Sequence, residues 1–222
     1  VRRLTTWAAS SWFYRNSGPS TQYAPWDAET ILAWGKAGQG HNGREPIVMC
    51  VHYAVTLVTG CLALGIPARA AVFTGAINGF NGHFTAEVWL EEFGKWVMVD
   101  PTVDAVLSRN GIPLSVTEIQ TAGDDLTDLI VWGEANQYQI QNPVISNWIP
   151  VNLAQGICFR HRSIWPRTDF LSHPEFSPPG HGETAYAETN LVWEVKDRDA
   201  GFAMFPYFGD ANYFDAPPQG LR

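Results

Sequence analysis

The chain has 222 residues, of which 45% are hydrophobic and 16% charged, so it is long enough to bury a core without a metal or disulfide. Aromatic residues make up 13% of the chain, which excludes an intrinsically disordered protein. The formal net charge of −8 excludes the basic surface of a nucleic-acid-binding protein and disfavours an anionic membrane as partner.

The N-terminal part predicts little regular structure. Residues 1–26 are rich in Trp, Tyr, Ser and Pro and predict an irregular arm. Asp27 is a suitable N-cap for a short helix over 28–36. Glycines and polar residues over 37–46 then predict a loop.

The next element is the clearest helix of the chain. Apolar residues recur at helical spacing over 51–64. Gly65 provides a stop signal and Pro67 prevents continuation. This pattern predicts a buried helix with Cys50 at or near its N-terminus.

A β-hairpin is predicted after this helix. A short strand over 69–74 and a loop over 75–82 lead to 83–90, where the side chains alternate in character as they do in a strand. Residues 91–94 form a turn, and 95–99 return as the partner strand. A helix followed by an antiparallel hairpin predicts an α+β fold rather than a doubly wound sheet.

The pattern is weaker beyond residue 102. Residues 115–120 predict a short helix or strand, and 124–132 a helix start or an acidic loop. Prolines and histidines over 161–184 predict a loop, and 190–195 a strand. The aromatic segment 202–214 is expected to pack on the body of the protein, because its exposure would create an aggregation-prone hydrophobic patch.

Charge separates the chain into differently composed regions. Residues 1–102 carry seven basic and seven acidic side chains, whereas 103–222 carry seven basic and fifteen acidic ones. We therefore expect an N-terminal arm (1–26), a core (27–102) and an acidic, aromatic-rich C-terminal extension (103–222) that packs on the core.

The three cysteines do not resemble a disulfide scaffold. Cys50 and Cys61 lie about 16 Å apart on the predicted helix, beyond the roughly 7 Å Cα separation that a disulfide allows. A bridge from either residue to Cys158 stays open. No signal peptide or membrane-spanning stretch is visible. The odd number and low density of the cysteines slightly favour a soluble, cytoplasmic protein, and the compartment stays undetermined.

The predicted hairpin brings a histidine close to carboxylates. Two registers are consistent with the turn: one places His83 opposite Asp100, and the other places His83 opposite Asp104 and Asp100 opposite Glu87. In the first register the Cβ atoms of His83 and Asp100 are about 5 Å apart on one face. A carboxylate in that position orients an imidazole and stabilises its charged form.

Cys50 is a suitable nucleophile for such a pair. A thiol at a helix N-terminus feels the partial positive charge of unpaired N–H groups, which favours the thiolate. The same N–H groups offer a site for the oxyanion of a tetrahedral intermediate. His52 points about 200° away from Cys50 around the helix, so we interpret it as a core or supporting histidine rather than the base.

Three segments resemble motifs of the transglutaminase-like superfamily. The first combines a Cys that opens a helix with a following Gly-Ile-Pro-Ala-Arg, the second is a His before a strand containing Glu-Val, and the third is a Trp followed by Asp-Pro-Thr. They are found here at Cys50–Val55 with Ala63–Arg69, at His83–Leu90 and at Trp96–Thr102. The resemblance covers about residues 27–102.

The resemblance implies a papain-like α+β core with a catalytic triad. It implies Cys50 as nucleophile, His83 as general base and acid, and Asp100 as the residue that orients His83. The chain departs from the family at Met49, where many members have a small or polar residue. The candidates for an upstream oxyanion donor are Trp34, Gln39 and Asn42.

The expected activity is formation of a Cys50 acyl-enzyme from an amide or peptide bond, followed by hydrolysis. The alternatives are transfer of the acyl group to an amine, as in a protein-glutamine transglutaminase, and a non-catalytic binding module. The expected partner is a peptide or protein substrate, with an amine acceptor under the first alternative, and no cofactor or metal is expected. A metal-dependent amidase would use residues whose spacing is not a recognised zinc pattern: His161, Asp169, His173, Glu175 and His181.

Overall fold

The computed structural model describes residues 1–12, 21–24, 27–37, 45–74, 82–122, 126–135, 161–165, 192–193 and 215–218. The helices in these segments are α1 (Arg2–Ser10), α2 (Ala28–Ala37), α3 (Cys50–Ala63) and α4 (Val116–Thr121). The strands are β1 (Thr21–Tyr23), β2 (Glu45–Ile47), β3 (Ala68–Thr74), β4 (Gly82–Leu90), β5 (Lys95–Asp100), β6 (Ala105–Arg109), β7 (Ile112–Pro113), β8 (Ile130–Trp132), β9 (His161–Trp165) and β10 (Val192–Trp193). Within the described residues, no helix has the length and apolar character needed to cross a membrane.

The central helix α3 is the element around which the others pack. Its residues 51–58 are all buried, and α1, α2, β3 and β4 contact it. The helix ends before Gly65, whose φ of 73° lies in the left-handed region that glycine adopts without strain. The predicted helix with Cys50 at its N-terminus is therefore confirmed.

An antiparallel sheet lies against α3. Its strand order is β10-β9-β3-β4-β5-β6-β7, and β8 pairs with β6 outside this path. Every residue over 83–89 and over 96–100 is buried, so both faces of β4 and β5 are covered. Helices packed on an antiparallel sheet confirm the predicted α+β class.

The hairpin register differs from both predicted registers. Ala86 pairs with Val99, and Leu90 pairs with Lys95. One position beyond Ala86–Val99, Thr85 therefore stands opposite Asp100, and His83 is diagonal to that aspartate. The prediction that His83 faces either Asp100 or Asp104 directly is wrong, because the turn is centred between the two predicted positions. The observed register differs from each predicted register by a shift of two residues. Because side chains alternate between faces with a period of two, His83 and Asp100 still share a face.

Several segments predicted as irregular contain regular structure, including the short strands β1, in the predicted arm, and β2, which begins within the predicted loop over 37–46. The prediction of an irregular arm is wrong for Arg2–Ser10, which is helical because Thr5, Ala8 and Ala9 are buried and α1 packs on α3. The prediction of a loop is wrong for His161–Trp165, which forms a strand because it pairs with the edge of β3. Strand β8 replaces part of the predicted helix or loop over 124–132. The aromatic segment 202–214 and the loop over 75–81 lie outside the described residues.

A buried ionic cluster joins the strands that carry the sequence motifs. Arg69 of β3 stands opposite Glu87 of β4, and its Nη2 donates to Glu87 Oε2 at 2.7 Å. The guanidinium carbon lies 4.0 Å from the centroid of the Trp96 ring. Glu87 Oε1 also accepts the Val116 N–H at the start of α4. Burial raises the pKa of Glu87, and Arg69 offsets only part of that effect.

The turn that follows β5 is held by a buried carboxylate. Asp104 has a φ of 52°, and its Oδ2 accepts hydrogen bonds from Thr6 Oγ1 at 3.0 Å and from the Ala135 N–H at 2.9 Å. Its carbonyl accepts the Gly133 N–H at 2.6 Å. The turn thereby ties α1 and the end of β8 to the strand that carries Asp100.

The close approach of Gly133 to Asp104 makes a first prediction. A Cβ at position 133 would overlap the Asp104 carboxylate, so Gly133→Ala should lower the free energy of unfolding by about 1–3 kcal/mol. Gly60→Ala is the matched control, because a Cβ there would lie 3.7 Å from Trp7. In urea titrations the control should be neutral or more stable than the wild type. An equally stable Gly133→Ala would contradict this packing.

Candidate active site

Cys50 is the first residue of α3, and the local backbone explains its position. The preceding Met49 is the N-cap, with an extended backbone at φ −117° and ψ −176°. The N–H groups of the first helical residues have no acceptor within a helix. Cys50 is a free thiol and is half-buried. Cys50 therefore lies at the positive end of the helix dipole, and the residue is partly exposed to solvent.

His83 and Asp100 meet although they lie on different strands. His83 Nε2 is 2.7 Å from Asp100 Oδ2, across 17 residues of sequence. The side chains are 2% and 0% exposed, respectively. Their diagonal positions on one sheet face bring the carboxylate within reach of the longer imidazole.

The second oxygen of Asp100 is also held. Its Oδ1 accepts the Thr102 N–H at 2.9 Å, which closes a local turn of the kind that Asp favours before Pro. Both carboxylate oxygens are therefore fixed. The quoted third motif contained Thr102, but sequence reasoning assigned it no role. The signal was available, because an aspartate commonly accepts the N–H two residues on.

The electrostatics of His83 connect it to Cys50. Burial lowers the pKa of His83, but the charge of Asp100, its hydrogen bond and a smaller contribution from Cys50 raise it, so the net pKa lies well above the ordinary value. His83 Nδ1 is buried and makes no hydrogen bond of ordinary geometry among the described residues. Cys50 thus lies near enough to act on His83 without forming a regular bond to Nδ1, as is common before substrate binds.

His52 supports the start of α3 through two hydrogen bonds of its side chain. Its Nδ1 accepts the Met49 N–H at 2.9 Å, and its Nε2 lies 2.8 Å from the Ala24 carbonyl oxygen, to which it donates. The interpretation of His52 as a buried supporting residue agrees with these contacts. Its contact with Ala24 was not foreseen, because Ala24 lies 28 residues away in sequence.

Sequence reasoning also missed Trp12. Its indole ring packs on Tyr53, with centroids 4.9 Å apart, and Tyr53 Oη donates to the Trp12 carbonyl at 2.9 Å. Tyr53 lies one helical turn after Cys50. Trp12 Nε1 is buried without a hydrogen-bond partner in the described part of the chain.

Among the residues predicted as oxyanion donors, Trp34 is half-buried on α2, while Gln39 and Asn42 lie outside the described residues.

The remaining titratable candidates lie elsewhere. Cys61 is a free, buried thiol, and burial raises its pKa to about 11. Within the described segments, no three His, Cys, Asp or Glu side chains form a group that could hold a metal. The five residues considered for a metal site have side chains outside the description.

A cavity of about 610 Å³ lies away from this site. Gly65, Ile66, Trp89, Glu91 and Pro218 are among its lining residues. Gly65 follows the C-terminal end of α3, whereas Cys50 begins that 14-residue helix, so the two ends are about 20 Å apart. The cavity is therefore separate from the Cys50 site.

Removing the Asp100 charge should reverse the pKa shift of His83. In Asp100→Asn only burial acts strongly, so the His83 pKa should fall below its ordinary value of about 6.5, as measured by NMR titration of the ring. In the wild type, the raised pKa stabilises the fold fully below about pH 6.5. That contribution is lost as the pH rises through the folded-state pKa. An unchanged titration in Asp100→Asn would contradict the coupling.

Comparison with known proteins agrees with the motif interpretation. A family model of the transglutaminase-like superfamily matches residues 1–101. Searches of curated proteins and of solved structures found no match. The matched range contains Cys50, His83 and Asp100, and it begins before the core boundary expected at residue 27. Residues 1–101 of this chain are therefore similar to the transglutaminase-like superfamily.

Proposed function

We propose that the protein is a cysteine-dependent acyl-transfer enzyme in which Cys50 attacks an amide or peptide bond and water hydrolyses the acyl-enzyme. The observation that carries the proposal is the buried hydrogen bond between His83 and Asp100, on an imidazole whose pKa is raised by Asp100 and also by Cys50. Similarity to the superfamily supports it, because the superfamily consists generally of cysteine-dependent enzymes.

The proposed reaction uses each of the three residues at a stated atom. His83 Nδ1 accepts the thiol proton of Cys50, and Asp100 stabilises the imidazolium that results. The thiolate adds to the carbonyl carbon of the substrate. His83 then returns the proton to the leaving nitrogen, the C–N bond breaks, and a thioester on Cys50 remains. Water, deprotonated by His83, attacks the thioester and releases the carboxylic acid and the thiol.

Two sets of donors are available for the oxyanion of the intermediate. The first is the N–H groups of the first residues of α3, which lie at the positive end of the helix dipole. The second is the indole N–H of Trp12. A buried donor without a partner costs free energy, and Trp12 Nε1 has no partner among the residues that the structure describes, so we propose it as a candidate donor to a transient oxyanion.

The acyl acceptor separates hydrolysis from amine transfer. Because Cys50 is only half-buried, we propose that water can reach the acyl-enzyme and that hydrolysis is the outcome. Amine transfer requires a site that excludes water. The proposed substrate is a peptide or protein, and an amine acceptor would be needed only for the alternative.

Substitution of the two described cysteines tests the nucleophile. Cys50→Ala should abolish hydrolysis of a panel of peptide amides while leaving the circular dichroism spectrum unchanged. Cys61→Ala is the matched control, because the buried Cys61 thiol has a pKa of about 11 and should not react. Full activity in Cys50→Ala would rule out the acyl-enzyme, and a folded wild type with no activity would favour the binding module.

Asp100→Ala should be less damaging than Cys50→Ala. Cys50 and His83 remain, but the imidazole loses its orienting carboxylate. We therefore expect kcat/KM to fall by about 10³–10⁴-fold and a measurable residual activity to remain. The residual rate is measured with the best substrate of the panel. A rate equal to that of the wild type would remove Asp100 from the mechanism.

A competition assay distinguishes the two acceptors. A glutamine-containing peptide and a primary amine are supplied together, and the products are separated by mass spectrometry. Hydrolysis predicts that the carboxylic acid predominates even at millimolar amine. Predominance of the amine conjugate would instead establish the transglutaminase alternative.

A further inference from the structure

His52 makes two hydrogen bonds at the start of α3, and both involve backbone that leads to Cys50. Its Nδ1 accepts the Met49 N–H at 2.9 Å. Its own N–H donates to the Met49 carbonyl at 2.9 Å. The two residues are therefore joined reciprocally, through the side chain and the backbone of His52, in the manner of a capping box.

The other ring nitrogen extends this link to a different part of the chain. His52 Nε2 donates to the Ala24 carbonyl at 2.8 Å, and Ala24 directly follows β1. Strand β1 pairs in parallel with β2, which ends two residues before Met49. The imidazole of His52 thus connects Ala24, next to β1, and Met49, close to the end of β2, to the first turn of α3.

The two bonds define the protonation state of His52. Nδ1 can accept the Met49 N–H only if it carries a lone pair, and Nε2 can donate to Ala24 only if it carries the hydrogen. The ring is therefore neutral, and it is completely buried. A donor at Nδ1 would face the Met49 N–H and break the cap.

We propose that His52 is a positioning residue that sets the location and the reactivity of the Cys50 thiol. By accepting the Met49 N–H with its side chain, His52 holds the N-cap extended, so that the first turn of α3 begins at Cys50. An intact first turn keeps the helix dipole directed at the sulfur. This inference rests on the proposed role of Cys50 as the nucleophile.

Alkylation of Cys50 by iodoacetamide, followed against pH by mass spectrometry, tests the inference without a substrate. In His52→Leu the two side-chain bonds, to the Met49 N–H and to the Ala24 carbonyl, are lost, and the apparent pKa of the Cys50 thiol should rise by about one unit, which lowers the rate at pH 6 about tenfold. His52→Gln offers an amide oxygen to Met49 and an amide hydrogen to Ala24, so it should restore most of the wild-type profile.

Val58→Ala is the matched control for lost packing. Val58 is fully buried on the same helix, so its truncation should lower the melting temperature without moving the alkylation profile. A profile in His52→Leu that matches the wild type would overturn the inference. A shift of the Cys50 alkylation profile in Val58→Ala or in His52→Gln as large as that in His52→Leu would also overturn the inference. Slow alkylation of wild-type Cys50 would instead count against the proposed function itself.

A measurement on the wild type keeps the inference testable if His52→Leu does not fold. Nitrogen-15 NMR should show His52 as a neutral ring protonated at Nε2 from pH 6 to pH 8. A charged ring, or a ring protonated at Nδ1, would exclude the bond from Met49 and overturn the proposed positioning role.

Discussion

The antiparallel pairing of β4 with β5 is the constraint on which the candidate site depends. His83 and Asp100 are separated by 17 residues of sequence, yet the tight turn between the strands places them diagonally on one face. A strand slip of one residue would turn every side chain of β5 to the other face. Because both faces are buried, such a slip would force side chains of the wrong shape into each packed face and would turn Asp100 away from His83. The packing of the sheet therefore defines the distance between imidazole and carboxylate.

Each sequence motif contributes one residue to the candidate site and one to a buried cluster beside it. Cys50, His83 and Asp100 form the first set. Arg69, Glu87 and Trp96 form the second set, in which an ion pair lies over an aromatic ring. The second set joins β3, β4 and β5 and also binds the first residue of α4. Replacing one member of such a buried pair leaves an uncompensated charge, so the cluster holds the strands that present the reactive side chains.

Two buried histidines lie in the same region of the protein and carry out opposite electrostatic tasks. His83 contacts a carboxylate, which raises its pKa and favours the imidazolium. His52 accepts a backbone N–H, which requires the neutral ring. One residue type thus supplies a proton carrier at one position and a helix cap at the other, and only the neighbouring atoms distinguish them.

The amino-acid sequence by itself determined the resemblance of residues 1–101 to the transglutaminase-like superfamily, the α+β class, the helix that begins at Cys50 and the hairpin that carries His83 and Asp100. Those features depend on local signals: apolar periodicity, the glycine stop, alternation in strands and short motifs. The tertiary structure alone decided the register of the hairpin, the helix Arg2–Ser10, the strand His161–Trp165 and the contacts of His52 and Trp12. Register depends on the burial of whole faces, and α1 and β9 depend on packing against distant elements. The bond from His52 to Ala24 spans 28 residues, and no local pattern encodes a contact between a side chain and a backbone that meet only after the chain has folded.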